Sequence, residues 1–79
     1  MNIKEATRLR IIGLCKERGI TFNKLSTICG MSQSTIKHII EARNSTTIST
    51  IKKICDGLEI TIQEFFESEV FYDLEQEIK

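Results

Sequence analysis

Residues 21–40, TFNKLSTICGMSQSTIKHII, carry two short apolar stripes separated by a glycine and a hydroxyl residue. Phe22, Leu25, Ile28 and Cys29 recur at three- and four-residue steps, which places them on one face of a helix, with Thr21 standing where an N-cap belongs. Gly30 follows at the position where a left-handed residue ends a helix at least cost. Ser32 then caps a second stripe of Ile36, Ile39 and Ile40. The first of these helices spans only about two turns, so the chain has to be assembled from brief helices packed on one another.

The rest of the sequence repeats this grammar. Ile3, Thr7, Ile11, Leu14 and Cys15 predict a helix over Ile3–Arg18, which Gly19 stops. After the polar connection ARNSTT, Thr47 caps a fourth helix with Ile48, Ile51, Ile54, Cys55 and Leu58 on one face. Thr61 lies three residues before Glu64, the capping-box arrangement, and opens a short fifth helix with Ile62, Phe65 and Phe66. Beyond it, the spacing of Phe71, Leu74 and Ile78 predicts a last amphipathic helix in the tail. No strand pattern, repeat or interdomain linker interrupts the series, and proline is absent. The expected fold is all-α: a compact five-helix domain over residues 1–68, followed by a short, acidic helical tail over 69–79.

At 79 residues a single core is only just sufficient, leaving little room for a catalytic cleft. Hydrophobic content of 41% with 28% charged residues is ordinary for a soluble domain. No run is long enough to span a bilayer, and the N-terminus MNIKEATRLRII has charges where a signal peptide would be apolar, so a cytoplasmic location with no membrane partner is expected. Cys15, Cys29 and Cys55 are scattered, form no C-x-x-C pair, and lie far in sequence from His38. They read as reduced, buried thiols, and neither a metal nor a cofactor is expected. The net charge of zero conceals a split: residues 1–53 hold ten Lys and Arg against three acids, whereas residues 54–79 hold eight acids against Lys79. Such asymmetry suggests a basic face for a polyanion and an acidic end kept away from it.

The two stripes around Gly30 form a helix-turn-helix, a motif whose second helix enters the DNA major groove and meets base edges with its N-terminal residues. Its outward positions here are Gln33, Ser34, Lys37, His38 and Glu41. Gln can pair with adenine N6 and N7, Lys can reach guanine O6 and N7, and Ser bonds several edges. Neutral His38 could donate to or accept from a base, and as a cation it would favour phosphate. Arg8, Arg10, Lys16, Lys24, Lys52 and Lys53 read as general basic surface.

Leu14 to Phe66 resembles the helix-turn-helix domain of the Cro and lambda-repressor type, the XRE family. The resemblance rests on ERGIT before the second helix, LS within it, GMSQSTI across the turn, TISTIKKI in the fourth helix and GLEITIQEFF at the end. It implies a DNA-binding regulator of five packed helices that binds palindromic double-stranded DNA as a homodimer. It places Gln33, Ser34, Lys37 and His38 on base-reading positions, and Asn23, Ser32, Arg43, Asn44 and Ser45 on or near phosphate-contacting ones. The departures are Phe22, where many members have a Gln that touches phosphate and braces the first recognition residue; Ala42 in place of Gly; and Thr46 in place of Pro. An Arg–Glu pair common in the family is here Cys15 and Ile40, which predicts an apolar contact between these two residues.

The expected function is a small sequence-specific transcriptional regulator, acting as a repressor by occluding a promoter. The short chain leaves no separate ligand-sensing or self-cleaving domain, so control would come from concentration, dimerisation or a partner. The Phe71, Leu74 and Ile78 stripe either folds back on the core or pairs two copies, and pairing is expected. The competing reading is an antitoxin or protein-interaction module whose acidic, aromatic tail binds another protein. An enzyme is disfavoured because no Ser/His/acid or Cys/His spacing is present.

Overall fold

The computed structural model describes residues 1–41 and 45–78. Their helices are α1 (Ile3–Arg18), α2 (Phe22–Cys29), α3 (Gln33–Ile40), α4 (Ile48–Leu58) and α5 (Ile62–Phe66), followed by a single 3₁₀ turn, Glu69–Phe71. Each starts on a side-chain cap that satisfies an otherwise orphaned backbone N–H. Asn2 accepts from the Glu5 amide at 2.8 Å, Thr21 from Lys24 at 3.1 Å, Ser32 from Thr35 at 3.1 Å and Thr47 from Thr50 at 3.1 Å. At α5 the capping box is complete: Thr61 Oγ1 accepts from the Glu64 amide, and the Glu64 carboxylate accepts from the Thr61 amide. Those bonds hold the Glu64 carboxyl below its ordinary range, the backbone N–H of Thr61 being the largest cause.

The core is assembled from Ile11, Leu14 and Cys15 of α1, Leu25 and Cys29 of α2, Ile36 and Ile39 of α3, Ile51, Ile54, Cys55 and Leu58 of α4, and Phe65 of α5. All three cysteines are free and buried. Burial pushes their thiols up, Cys29 to about 11 with Cys15 and Cys55 nearby adding to the effect, so they stay protonated at neutral pH. Cys15 belongs to this core and Ile40 packs half-buried against it.

One close approach sets how α2 lies on α4. A Cβ on Gly57 would stand 2.6 Å from Cys29 Sγ and 2.9 Å from the Ile28 carbonyl oxygen. Only a residue with no side chain lets the two helices meet there, and the Cys29 thiol points at the Ile54 carbonyl oxygen 3.8 Å away.

The apolar residues depart from the sequence reading at three places. Ile48, expected on the inner face of α4, is 66% exposed. It is the first residue of that helix, and the contacts seating α4 on α2 lie further along, at Ile54 and Gly57. Phe22, on the same apolar stripe of α2 as buried Leu25 and Cys29, is 39% exposed. The tail does not continue as an α-helix. After α5, Ser68 starts the 3₁₀ turn, and Phe71 packs on Phe65 and Phe66 with ring centroids 6.1 and 5.0 Å away. The chain then runs back to its own start, the Glu75 amide donating to the Met1 carbonyl at 3.0 Å and the Glu75 carboxylate lying 3.9 Å from the Met1 ammonium. A helix over this stretch would stack Glu69, Asp73 and Glu77 at successive four-residue steps, where like charges repel. It would also bring acids to a C-terminus whose dipole favours cations.

Candidate nucleic-acid interface

Helices α2 and α3 are joined by a turn that depends on Gly30, which adopts φ +66°. In that left-handed conformation its N–H reaches the Thr27 carbonyl at 3.3 Å while the Met31 N–H reaches Ser26 at 3.0 Å, closing the end of α2. Ser32 then restarts the helix, and its hydroxyl also bonds the Thr35 hydroxyl at 2.9 Å. Two residues thus separate the end of α2 from the cap of α3. Ile36 and Ile39 face inward, whereas Gln33, Ser34, Lys37 and His38 are all exposed.

The exposed residues divide between two adjoining hollows. Gln33, Ser34 and Lys37 of α3 and Glu41 at its C-cap share a groove of about 410 Å³ with Phe22 and Asn23 at the start of α2, also lined by Ile36 and Ile40. His38 borders the second hollow, lined by hydroxyls from Thr35, Ser45, Thr46, Thr47 and Thr50. Of the residues assigned to phosphate, Asn23 lies in the first hollow, Ser45 in the second, and Ser32 is exposed at the cap between α2 and α3. Arg43 and Asn44 lie outside the described residues. The residues assigned to dimerisation sit elsewhere: Phe71 is half-buried against the core, while Leu74 and Ile78 are exposed.

Two arginines read as general basic surface are structural. Arg8 Nε donates to the carbonyl of Ile40, the last residue of α3, at 2.6 Å, and its Nη1 pairs with Glu5 at 2.9 Å. That carbonyl is one of those a helix leaves without an internal partner, so the guanidinium both caps α3 and ties its far end to α1. Arg10 serves α5 in the same way, donating to the carbonyls of Phe65 at 2.7 Å and Glu64 at 2.8 Å. Lys52 is paired with Asp56, whose hydrogen bond raises its pKa. Among the described residues, the lysines of α2 and α3 are Lys24 and Lys37, both exposed.

The family profile of the Cro/C1-type helix-turn-helix DNA-binding domain matches residues 10–69. The chain belongs to the Cro/C1-type helix-turn-helix family. Two solved structures share its form. The crystal structure of prophage Lp1 protein 11 is 29% identical, with a TM-score of 0.81 over 94% of this chain and the whole of that one. An HTH_3 family transcriptional regulator from Vibrio cholerae is 28% identical with a TM-score of 0.77, over 85% of this chain and 38% of its own length. No curated protein matches. The family resemblance drawn from GMSQSTI and TISTIKKI stands. Among the described residues no helix is long and apolar enough to cross a membrane.

Proposed function

We propose that this Cro/C1-type domain is a cytoplasmic, sequence-specific repressor without catalytic activity that binds a palindromic operator as a dimer. Gln33, Ser34, Lys37 and His38 read bases, and Asn23, Ser32 and Ser45, with Arg43 and Asn44, hold the phosphates. The observation that carries the reading is the exposure on α3 of four groups able to bond base edges, Gln33 and Ser34 in its first turn and Lys37 and His38 in the next, directly after a capped turn. A single module reads few base pairs, and two-fold pairing would double the contacts and set recognition helices roughly 34 Å apart. The tail supplies the pairing surface, with exposed Leu74 and Ile78 presented by a segment that Phe71 anchors.

Selection of bound sequences from a random DNA pool tests this proposal. The expected product is an inverted repeat with half-sites about one helical turn apart. Recovery of a single unrepeated site would refute the dimer, and recovery of no common sequence would refute specific reading.

A further inference from the structure

Phe22 is the first residue of α2, and its ring stands between two apolar hollows. On one side lie Ile12, Cys15 and Ile20; on the other lies the groove shared with Gln33, Ser34, Ile36, Lys37 and Ile40. The aromatic rings of α5 pack on each other and on Phe71, whereas Phe22 is left 39% exposed beside the base-reading positions. Carbon surface from Phe22 and half-buried Ile40 therefore reaches the face that would meet DNA.

We propose that this groove receives the 5-methyl edge of a thymine, making Phe22 a determinant of sequence preference beside Gln33. The inference rests on the reading of α3 as the base-contacting helix and adds the base that its neighbour selects. The chemistry is restrictive. Of the four bases, only thymine presents a methyl group in the major groove, beside the donors and acceptors by which the others are told apart. A phosphate held by Asn23 at the start of α2 would gain no donor from the Phe22 ring or the Ile40 side chain, which leaves that carbon surface to an apolar group. Lys37, whose charge suits a polyanion, and Glu41 both border the groove, which is continuous with Gln33 and Ser34 at its other end, so a base edge held by those two lies next to the ring.

The test replaces each thymine of a selected operator, one at a time, with deoxyuridine, which removes only the methyl group. Binding is measured for the full chain and for Phe22→Ala and Phe22→Leu, with circular dichroism confirming that both variants fold. At one thymine per half-site, uracil is expected to weaken binding of the full chain roughly three- to tenfold, the loss of one buried methyl group. Phe22→Leu should keep part of that penalty, and Phe22→Ala should show none. A scan with no sensitive thymine, a penalty that persists in Phe22→Ala, or a selected operator with no thymine near the Gln33-dependent position would each overturn the proposal. Gln33→Ala and Lys37→Ala separate the two levels. If they relax base preference while the uracil scan is flat, the thymine site alone fails; if they change nothing, the base-reading assignment fails with it.

Discussion

Gly57→Ala tests the close seat of α2 on α4. The new Cβ would lie 2.6 Å from Cys29 Sγ, 2.9 Å from the Ile28 carbonyl oxygen and 3.1 Å from Cys29 Cα. Two of those three atoms are backbone, so relief requires moving α2 by several tenths of an ångström against a packed core. Overpacking of this kind costs about 1–3 kcal/mol. Alanine regains up to about 1 kcal/mol of helix propensity over glycine. With backbone atoms on two sides the clash should dominate, giving a net loss of about 1–2 kcal/mol and a Tm lower by about 5–15 °C for a domain of this size. Gly13→Ala is the internal control, since a Cβ there meets nothing within 4 Å. It should gain about 0.5–1 kcal/mol from propensity alone. Urea and thermal unfolding of both variants, followed by circular dichroism, would read the difference. Adding Cys29→Ala to Gly57→Ala removes the sulfur but not the Ile28 oxygen, so any rescue should be partial. Equal stabilisation by both glycine replacements would refute the account of the α2–α4 contact.

Other sites give further expectations. Arg8→Met keeps the apolar stem but leaves the Ile40 carbonyl uncapped, and at this part-exposed position it should cost about 1 kcal/mol and speed amide exchange in the last turn of α3. Unchanged exchange there would argue that the guanidinium does not hold the helix. Ile40→Glu places a carboxylate against the core with the neutral Cys15 thiol, not a cation, at the position paired with it, and should cost about 1–3 kcal/mol near pH 7. Burial raises the pKa of such a carboxyl, so the deficit should shrink as pH falls and it protonates. Cys15→Arg in the same chain should recover part of the loss, whereas wild-type stability for Ile40→Glu would count against the pairing of these positions. Glu64 titrates below its ordinary value in the fold, so its contribution is present above the unfolded pKa and is lost as pH falls through the folded one. Glu64→Gln keeps a capping partner without the titration, and its Tm should fall less than wild type between about pH 6 and about pH 3. An identical acid slope in both proteins would exclude this carboxylate as a source of acid sensitivity.

Much of the fold could be read from the sequence because its signals are local. Thr21, Ser32, Thr47 and Thr61 each cap the helix that follows, and Gly30 ends α2 in the left-handed conformation its position implied. The misses depended on what lies across the chain. Phe22 and Ile48 fit their apolar stripes, but periodicity reports which face a residue occupies and not whether a neighbouring helix extends far enough to cover it. Arg8 and Arg10 looked like surface charge because their partners are backbone carbonyls 32 and 55 residues away. The tail followed a helical spacing of apolar residues, yet Phe71 joins the aromatic cluster of α5, and a helix would stack Glu69, Asp73 and Glu77 as like charges. At the candidate interface, Gln33, Ser34 and Lys37 share one groove as their spacing required, whereas His38 turns toward the adjoining hydroxyl-lined hollow.

The assignment of α3 as the reader of bases is tested most directly by binding to a selected operator and to single-base variants across a salt titration. Gln33→Ala with Lys37→Ala should narrow the gap between operator and variants, each base contact carrying roughly 1–3 kcal/mol, while Asn23→Ala weakens all sequences alike. Sequence preference left intact by the double substitution at 33 and 37 would contradict the account.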